Sequence, residues 1–263
     1  MSTSLQKLLN NIATNNAFNN CTIDINELSS GGANYSSKLY TVDIIDVNKL
    51  KEDLHLFVKV SVLGENIRKN YPPSFFDTEM YCYTDLLEAF KELENECGLT
   101  VEDGIAFAKF YGGDPTRYQE TVVLENLVAH GYHDFDRFHS FDWAYALSAV
   151  TELAKFHALS YAYREKRPAE FEKALDRFKK SWKPGVNAEM ENSAKDSALK
   201  CVKPEYRDVL ETFLDKYMNN ILCECYATAA RPVLVHGDYR GSNLLHRYTE
   251  ASTLSSLRRK RRI

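Results

Sequence analysis

Long apolar runs are missing from this 263-residue chain, and no window approaches the 18 apolar residues of a membrane-spanning helix. Its first residues, MSTSLQKLLNNIATNN, lack the apolar core of a signal peptide. Regular cysteine spacing is missing too. Cys21, Cys82, Cys97, Cys201, Cys223 and Cys225 share no frame, which argues for free thiols in a reducing, cytoplasmic setting over a disulfide scaffold. Cys223-Glu224-Cys225 has no second Cys or His pair at zinc spacing, which weighs against a structural zinc. There is no internal repeat and no low-complexity linker. Positive charge is scarce outside one place. Of 33 Lys and Arg against 37 Asp and Glu, five are Arg258, Arg259, Lys260, Arg261 and Arg262. The rest of the chain is therefore acidic, and nucleic acid is not the expected partner.

What is present is an ordinary globular composition, 44% hydrophobic and 27% charged. Length allows one large domain or two small ones. Ser37 to Asp46 alternates and is rich in β-formers, and LHLFVKVSVL, Leu54 to Leu63, reads as a second strand after the charged turn VNKLKED. Tyr71-Pro72-Pro73 is expected to open a helix with Phe76, Met80, Tyr83, Leu87, Phe90 and Leu93 on one face. Ile105 to Tyr111 and Thr121 to Leu124 read as two further strands joined by the turn string GGDPTR. From about residue 140 the pattern is helical. Ser140 is the expected cap of a helix with Trp143, Leu147, Val150, Leu153, Ala154 and His157 on its apolar face. Pro204 opens another, with Tyr206, Val209, Leu210, Phe213, Leu214, Tyr217 and Ile221 along one side, and KSWKPGVNAEMENSAKDSA between them reads as loop with short helices. Strands with one helix, then helices, is the order of a two-lobed α+β protein.

The chemistry concentrates in VLVHGDYRGSNLLHRY, residues 233–248. Phosphoryl transfer needs a carboxylate to orient the acceptor, metal ligands, and a cationic clamp on the nucleotide phosphates. Asp238 on a short loop can orient or deprotonate a hydroxyl, and Asn243, five residues on, can hold a magnesium ion. A plain surface turn would use the same Asp, Gly, Ser and Asn residues for backbone geometry. Upstream, Lys59 sits in an otherwise apolar strand, where a buried charge needs a partner, and Glu79 on the following helix can supply it. The bland alternative is a lysine pointing to solvent. Gly31 and Gly32 lie in a small-residue turn whose N–H groups can cover phosphates, although a simple hairpin looks alike. Glu125, Asn126 and Leu127 end a strand where the chain turns helical, and their backbone is placed to meet an adenine or to serve as a linker. His157 and His236 read as structural histidines.

The order turn, strand with Lys, helix with Glu, strand pair, connector, helices and HGD…N is that of a protein-kinase-like fold. In these residues the chain resembles the ecdysteroid kinase-like (CHK kinase-like) family, within the aminoglycoside phosphotransferase and choline kinase superfamily. GGANYSS matches its glycine-rich loop, LFVKV its nucleotide lysine, FFDTEMYCY its paired glutamate, and VLENL, HGYHDFDR and ELAKFHALS its connector and first helix of the second lobe. The resemblance covers residues 25–248. It implies an ATP- and Mg2+-dependent transfer to a small-molecule hydroxyl, an ecdysteroid among the acceptors. Asp238 would be the catalytic base, Asn243 a metal ligand, Lys59 and Glu79 the phosphate clamp, and Glu125 to Leu127 the adenine contact. It also implies an N-lobe over 1–125, complete, and an incomplete C-lobe over 126–248. The family continues to an Asp-Phe-Gln-type segment whose Asp is the principal metal ligand. Residues 249–263, TEASTLSSLRRKRRI, show neither that segment nor a strand pattern. Impaired transfer is therefore expected, with a nucleotide-binding pseudoenzyme or an interaction fragment without catalysis as the rival. Uncovered apolar surface is expected on the Trp143 and Tyr206 helices. The run Arg258 to Arg262 is expected as a passive tail or a nuclear localisation signal.

Overall fold

A computed structural model describes residues 3–29, 36–65, 68, 74–136, 138–181, 188–216, 228–248 and 257–261. Gly31 and Gly32, the Tyr71-Pro72-Pro73 helix start, Tyr217 and Ile221 of the expected last helix, and Cys223 with Cys225 lie outside the described residues. The chain opens with α1 (Thr3–Asn15), which the sequence reading did not expect. Leu5, Leu9, Ile12 and Ala13 recur at three- and four-residue spacing and form its buried stripe. That stripe packs on Val42, Ile44, Leu56, Val58 and Val123 of a five-stranded sheet. The strands are β1 (Cys21–Leu28), β2 (Ser37–Asp46), β3 (Leu54–Ser61), β4 (Phe110–Asp114) and β5 (Thr121–Glu125), ordered β1-β2-β3-β5-β4 and antiparallel throughout. β5 is buried on both faces. Val123 joins the α1 side, while Val122 and Leu124 join the core on the other.

That second core is built by α2 (Ser74–Tyr81), a π-helical turn (Cys82–Leu86) and α3 (Leu87–Glu96). Phe76, Tyr83, Leu87, Phe90 and Leu93 are buried in it, as the spacing predicts, with Met80 half-buried at its edge. The strand expected over Ile105 to Tyr111 is displaced. β4 starts at Phe110 and runs through Gly112, Gly113 and Asp114, so the two glycines are strand and not turn. The reason is close approach. A Cβ on Gly113 would stand 2.7 Å from Met80 Sδ and 2.9 Å from the Thr121 carbonyl. A register shift between Phe110 and Gly112 completes the adjustment.

The helical half follows as α4 (Trp143–Lys166), α5 (Pro168–Ser181), α6 (Ala188–Cys201) and α7 (Arg207–Lys216). The polar stretch before Cys201 thus carries a fourteen-residue helix in place of the expected short ones. Asp142, not Ser140, caps α4, its carboxylate accepting the Tyr145 N–H at 2.5 Å. The buried face of α4 is Tyr145, Ala149, Phe156, Leu159, Ser160 and Tyr163. Trp143 is 73% exposed and Val150 62%, so the face read from spacing is the outer one. Apolar residues surround this helix, and periodicity alone does not choose between its sides. On α7 and the turn before it, Tyr206, Val209 and Phe213 are also exposed.

A second sheet, β6 (His133–Asp134), β7 (Leu244–Tyr248) and β8 (Leu257–Arg261), is antiparallel in that order. β8 corrects the expectation of a patternless tail. Leu257 to Arg261 pair with β7 from Tyr248 back to Leu244. An edge strand needs only backbone pairing, and charged residues suit an edge, so no apolar alternation announces it. The architecture is α+β and kinase-like, with the antiparallel sheet on the N-terminal side and the helices following.

Candidate active site

Two constellations stand out. In the first, Lys59 occupies a central strand, its backbone opposite Leu39 on β2 and Val122 on β5. Glu79 comes from α2. Lys59 Nζ donates to Glu79 Oε1 at 2.7 Å and Oε2 at 2.6 Å, so the pair expected from the sequence forms. Burial pushes the Glu79 carboxyl above the usual carboxylate range, and the charge and hydrogen bonds of Lys59 oppose that rise. The neighbouring Cys82 thiol is pushed up to about 12 by burial and by the charge of Glu79, which makes it an inert core group.

A second buried pair frames the segment between β3 and α2. Arg68 donates from Nη1 to Glu120 Oε1 at 2.5 Å and from Nη2 to Oε2 at 2.9 Å, while its Nε reaches the Leu63 carbonyl at 2.8 Å. Burial alone would raise the Glu120 carboxyl. The guanidinium more than offsets this and holds it below its ordinary value. Arg68, seven residues beyond the strand that carries Lys59, thereby ties the start of β5 to the approach to α2.

The second constellation is the loop from His236 to Asn243. Gly237 takes φ +81, a left-handed conformation that suits glycine. Asp238 donates its backbone N–H to His236 Nδ1 at 3.2 Å, which leaves the proton of a neutral ring on Nε2. Asn243 Nδ2 donates to the Asp238 carbonyl at 2.8 Å and to its Oδ2 at 2.9 Å, so the residues five apart in sequence meet. Arg240 Nε donates to the same Oδ2 at 3.1 Å. Asp238 is exposed at the mouth of this loop, with its side chain 61% accessible.

Anchors the sequence did not single out hold the loop in place. Tyr239 Oη donates to the Ala149 carbonyl on α4 at 2.5 Å. Phe141 packs where a Cβ on Gly241 would come within 3.1 Å of its ring. Phe141 in turn stacks on Tyr145 at 4.8 Å between centroids. Ser160 Oγ accepts the Leu234 N–H at 2.7 Å, tethering the approach to the loop. The only sequence signal for these contacts was the aromatic richness around residues 135–145 and 239. His157 is half-buried on α4 beside Phe156, 6.1 Å between ring centroids.

Between the constellations runs the connector. The Asn126 N–H donates to the His55 carbonyl at 3.0 Å, and Asn126 Oδ1 caps the turn Leu127–His130 by accepting from Val128 N. The Leu127 carbonyl already accepts from Tyr132 N at 3.1 Å. The Glu125 side chain accepts from Lys109 N at 3.2 Å. Among the described residues no group of three His, Cys, Asp or Glu side chains is gathered as a metal cage. None of their helices is long and apolar enough to cross a membrane.

A lysine–carboxylate pair under an antiparallel sheet, followed by helices and an HGD…N loop, defines a protein of the kinase-like class. The Ecdysteroid kinase-like family matches residues 31–258, most of the chain, and the chain belongs to that family. The match runs ten residues beyond Tyr248, into β8. The family points to small-molecule phosphotransfer, and proteins of this kind generally use ATP and Mg2+. No curated protein and no solved structure matches the chain.

Proposed function

We propose that this chain binds ATP through Lys59 and transfers its terminal phosphate, slowly, to the hydroxyl of a small molecule, an ecdysteroid among the candidates. The observation that carries this reading is the Lys59–Glu79 pair at 2.6 Å in a chain of this family. Glu79 fixes the ammonium of a lysine held within a central strand, the arrangement that clamps nucleotide phosphates in kinases. Gly31 and Gly32 would cover those phosphates, and the backbone of Glu125 to Leu127 would meet the adenine. Asp238 would accept the proton of the attacking hydroxyl, with its carboxylate steadied by Asn243.

Mg2+ would neutralise charge on the transferring phosphate. Oxygen donors suit that ion, which is content with one or two carboxylates plus phosphate oxygens and water. Asn243 fits this role, because its Nδ2 is turned to Asp238 and its Oδ1 therefore faces away from that carboxylate. Asp238 Oδ2 already accepts from Arg240 and Asn243, so this carboxylate has a single oxygen, Oδ1, left for the acceptor or the ion. That observation supports a second reading in which the chain binds nucleotide without transferring phosphate.

The test mixes purified chain with Mg-ATP and a panel of sterols and simpler alcohols, reading both melting temperature and phosphorylated product. ATP is expected to raise the melting temperature, and Lys59→Ala to abolish that shift. Asp238→Ala should keep the shift and lower product formation by about 100- to 10,000-fold. Nucleotide binding that survives Lys59→Ala would overturn the clamp. A nucleotide shift with no product from any acceptor would select the binding-only reading.

A further inference from the structure

We infer that Arg240 is a phosphate-binding residue, the cation that lets a nucleotide's terminal phosphate approach Asp238. The inference rests on the nucleotide reading above and adds to it a residue that none of the sequence motifs assigned. Bringing a phosphate to a carboxylate sets two negative groups side by side. At contact distance near a protein surface that repulsion is strong enough to oppose binding. A cation between them removes the cost.

Arg240 is the described cation bonded to Asp238, through Nε to Oδ2 at 3.1 Å. It spends only Nε there, and among the described residues its Nη1 and Nη2 carry no hydrogen bond. Those two groups form the fork that matches two oxygens of a phosphate. Its side chain is 56% exposed, on the same open mouth as Asp238. The backbone beneath it is fixed. The Arg240 carbonyl accepts from Asn243 N at 2.9 Å, its φ of −137 is ordinary extended chain, and Tyr239 and Gly241 on either side are pinned to α4 and Phe141. The guanidinium that steadies Asp238 Oδ2 through Nε thus keeps its two Nη groups for an incoming anion. With Oδ2 taken by Arg240 and Asn243, Asp238 Oδ1 is the oxygen left to face an acceptor hydroxyl.

The test compares ATP with ADP, since only the terminal phosphate separates them, and it needs no turnover. Affinities for Mg-ATP and Mg-ADP are measured on the full chain, on Arg240→Ala, on Arg240→Lys and on Lys59→Ala. Arg240→Ala is expected to weaken ATP about tenfold or more while leaving ADP within about twofold, the size of one charge-assisted contact. Arg240→Lys, which keeps charge but not the fork, should recover part of the ATP affinity. Lys59→Ala should weaken both nucleotides. The exposed position predicts an unchanged melting temperature for Arg240→Ala, which separates ligand loss from unfolding. Equal loss for ATP and ADP, or no loss, overturns the Arg240 assignment while leaving nucleotide binding intact. If the unaltered chain binds neither nucleotide, the nucleotide reading itself fails and Arg240 falls with it.

Discussion

Glu79 brings a carboxylate into an apolar setting where only Lys59 offsets its charge, so each residue is conditional on the other. Lys59→Met removes the partner and strands the acid. Folding stability is expected to fall by about 1–3 kcal/mol, the cost of leaving a buried polar group without its bond. The pH dependence follows from the raised folded-state value of Glu79. A raised carboxyl favours the fold while protonated, and that contribution is lost as pH rises through the folded value. Without Lys59 the value rises further, so the deficit should shrink from near-neutral to mildly acidic pH. Urea unfolding at the two conditions reads this directly, and a deficit that grows on acidification would refute it. Replacing both residues, Lys59→Met with Glu79→Leu, should recover most of the stability and none of the nucleotide binding. The Lys59–Glu79 partnership was legible in the sequence because a lone lysine in LFVKV needs a counter-charge. The anchoring of Tyr239 and Gly241 was not, since both contacts reach α4 and its flank, about 90 to 100 residues away in sequence.

At the scale of elements, β4 shows how close packing overrides local propensity. Gly112 and Gly113 suggest a turn, yet the absence of a side chain is what lets this strand lie against Met80 and the Thr121 carbonyl. Gly113→Ala would push into backbone on one side and into α2 on the other. It is expected to cost about 1–3 kcal/mol, and since Met80 adjoins Glu79, to weaken nucleotide binding as well. Denaturant unfolding checks the first effect and nucleotide titration the second. The same logic explains α4. Its sequence is apolar around most of the circumference, so which side is core was settled by contact with α3 and by the cap at Asp142, not by spacing.

Across the whole molecule, the basic run changes meaning. Read as a tail, Arg258 to Arg262 were a candidate import signal. Four of these residues instead lie in β8, paired with β7, whose Leu244, Leu245 and His246 are buried just after the Asp238 loop. Deleting residues 257–261 is therefore expected to lower stability by about 1–3 kcal/mol through lost ladder bonds. Backbone amides there should exchange more slowly than in an unfolded peptide. Exchange at the unfolded rate, with unchanged stability, would return the segment to the status of a tail.

Local sequence patterns were enough to set the strand bounds of β2, the Lys59 and Glu79 partners, the spacing of Asp238 to Asn243 and the family. Each of these is a local pattern whose meaning survives without neighbours. Tertiary structure alone decided that Gly112 and Gly113 belong to a strand, that α1 covers the sheet, that Trp143 faces outward, and that the basic segment closes a sheet beside the loop. All four depend on what comes close in space. Burial, edge pairing and steric approach are properties of the assembled chain, and they leave no period in the sequence to read.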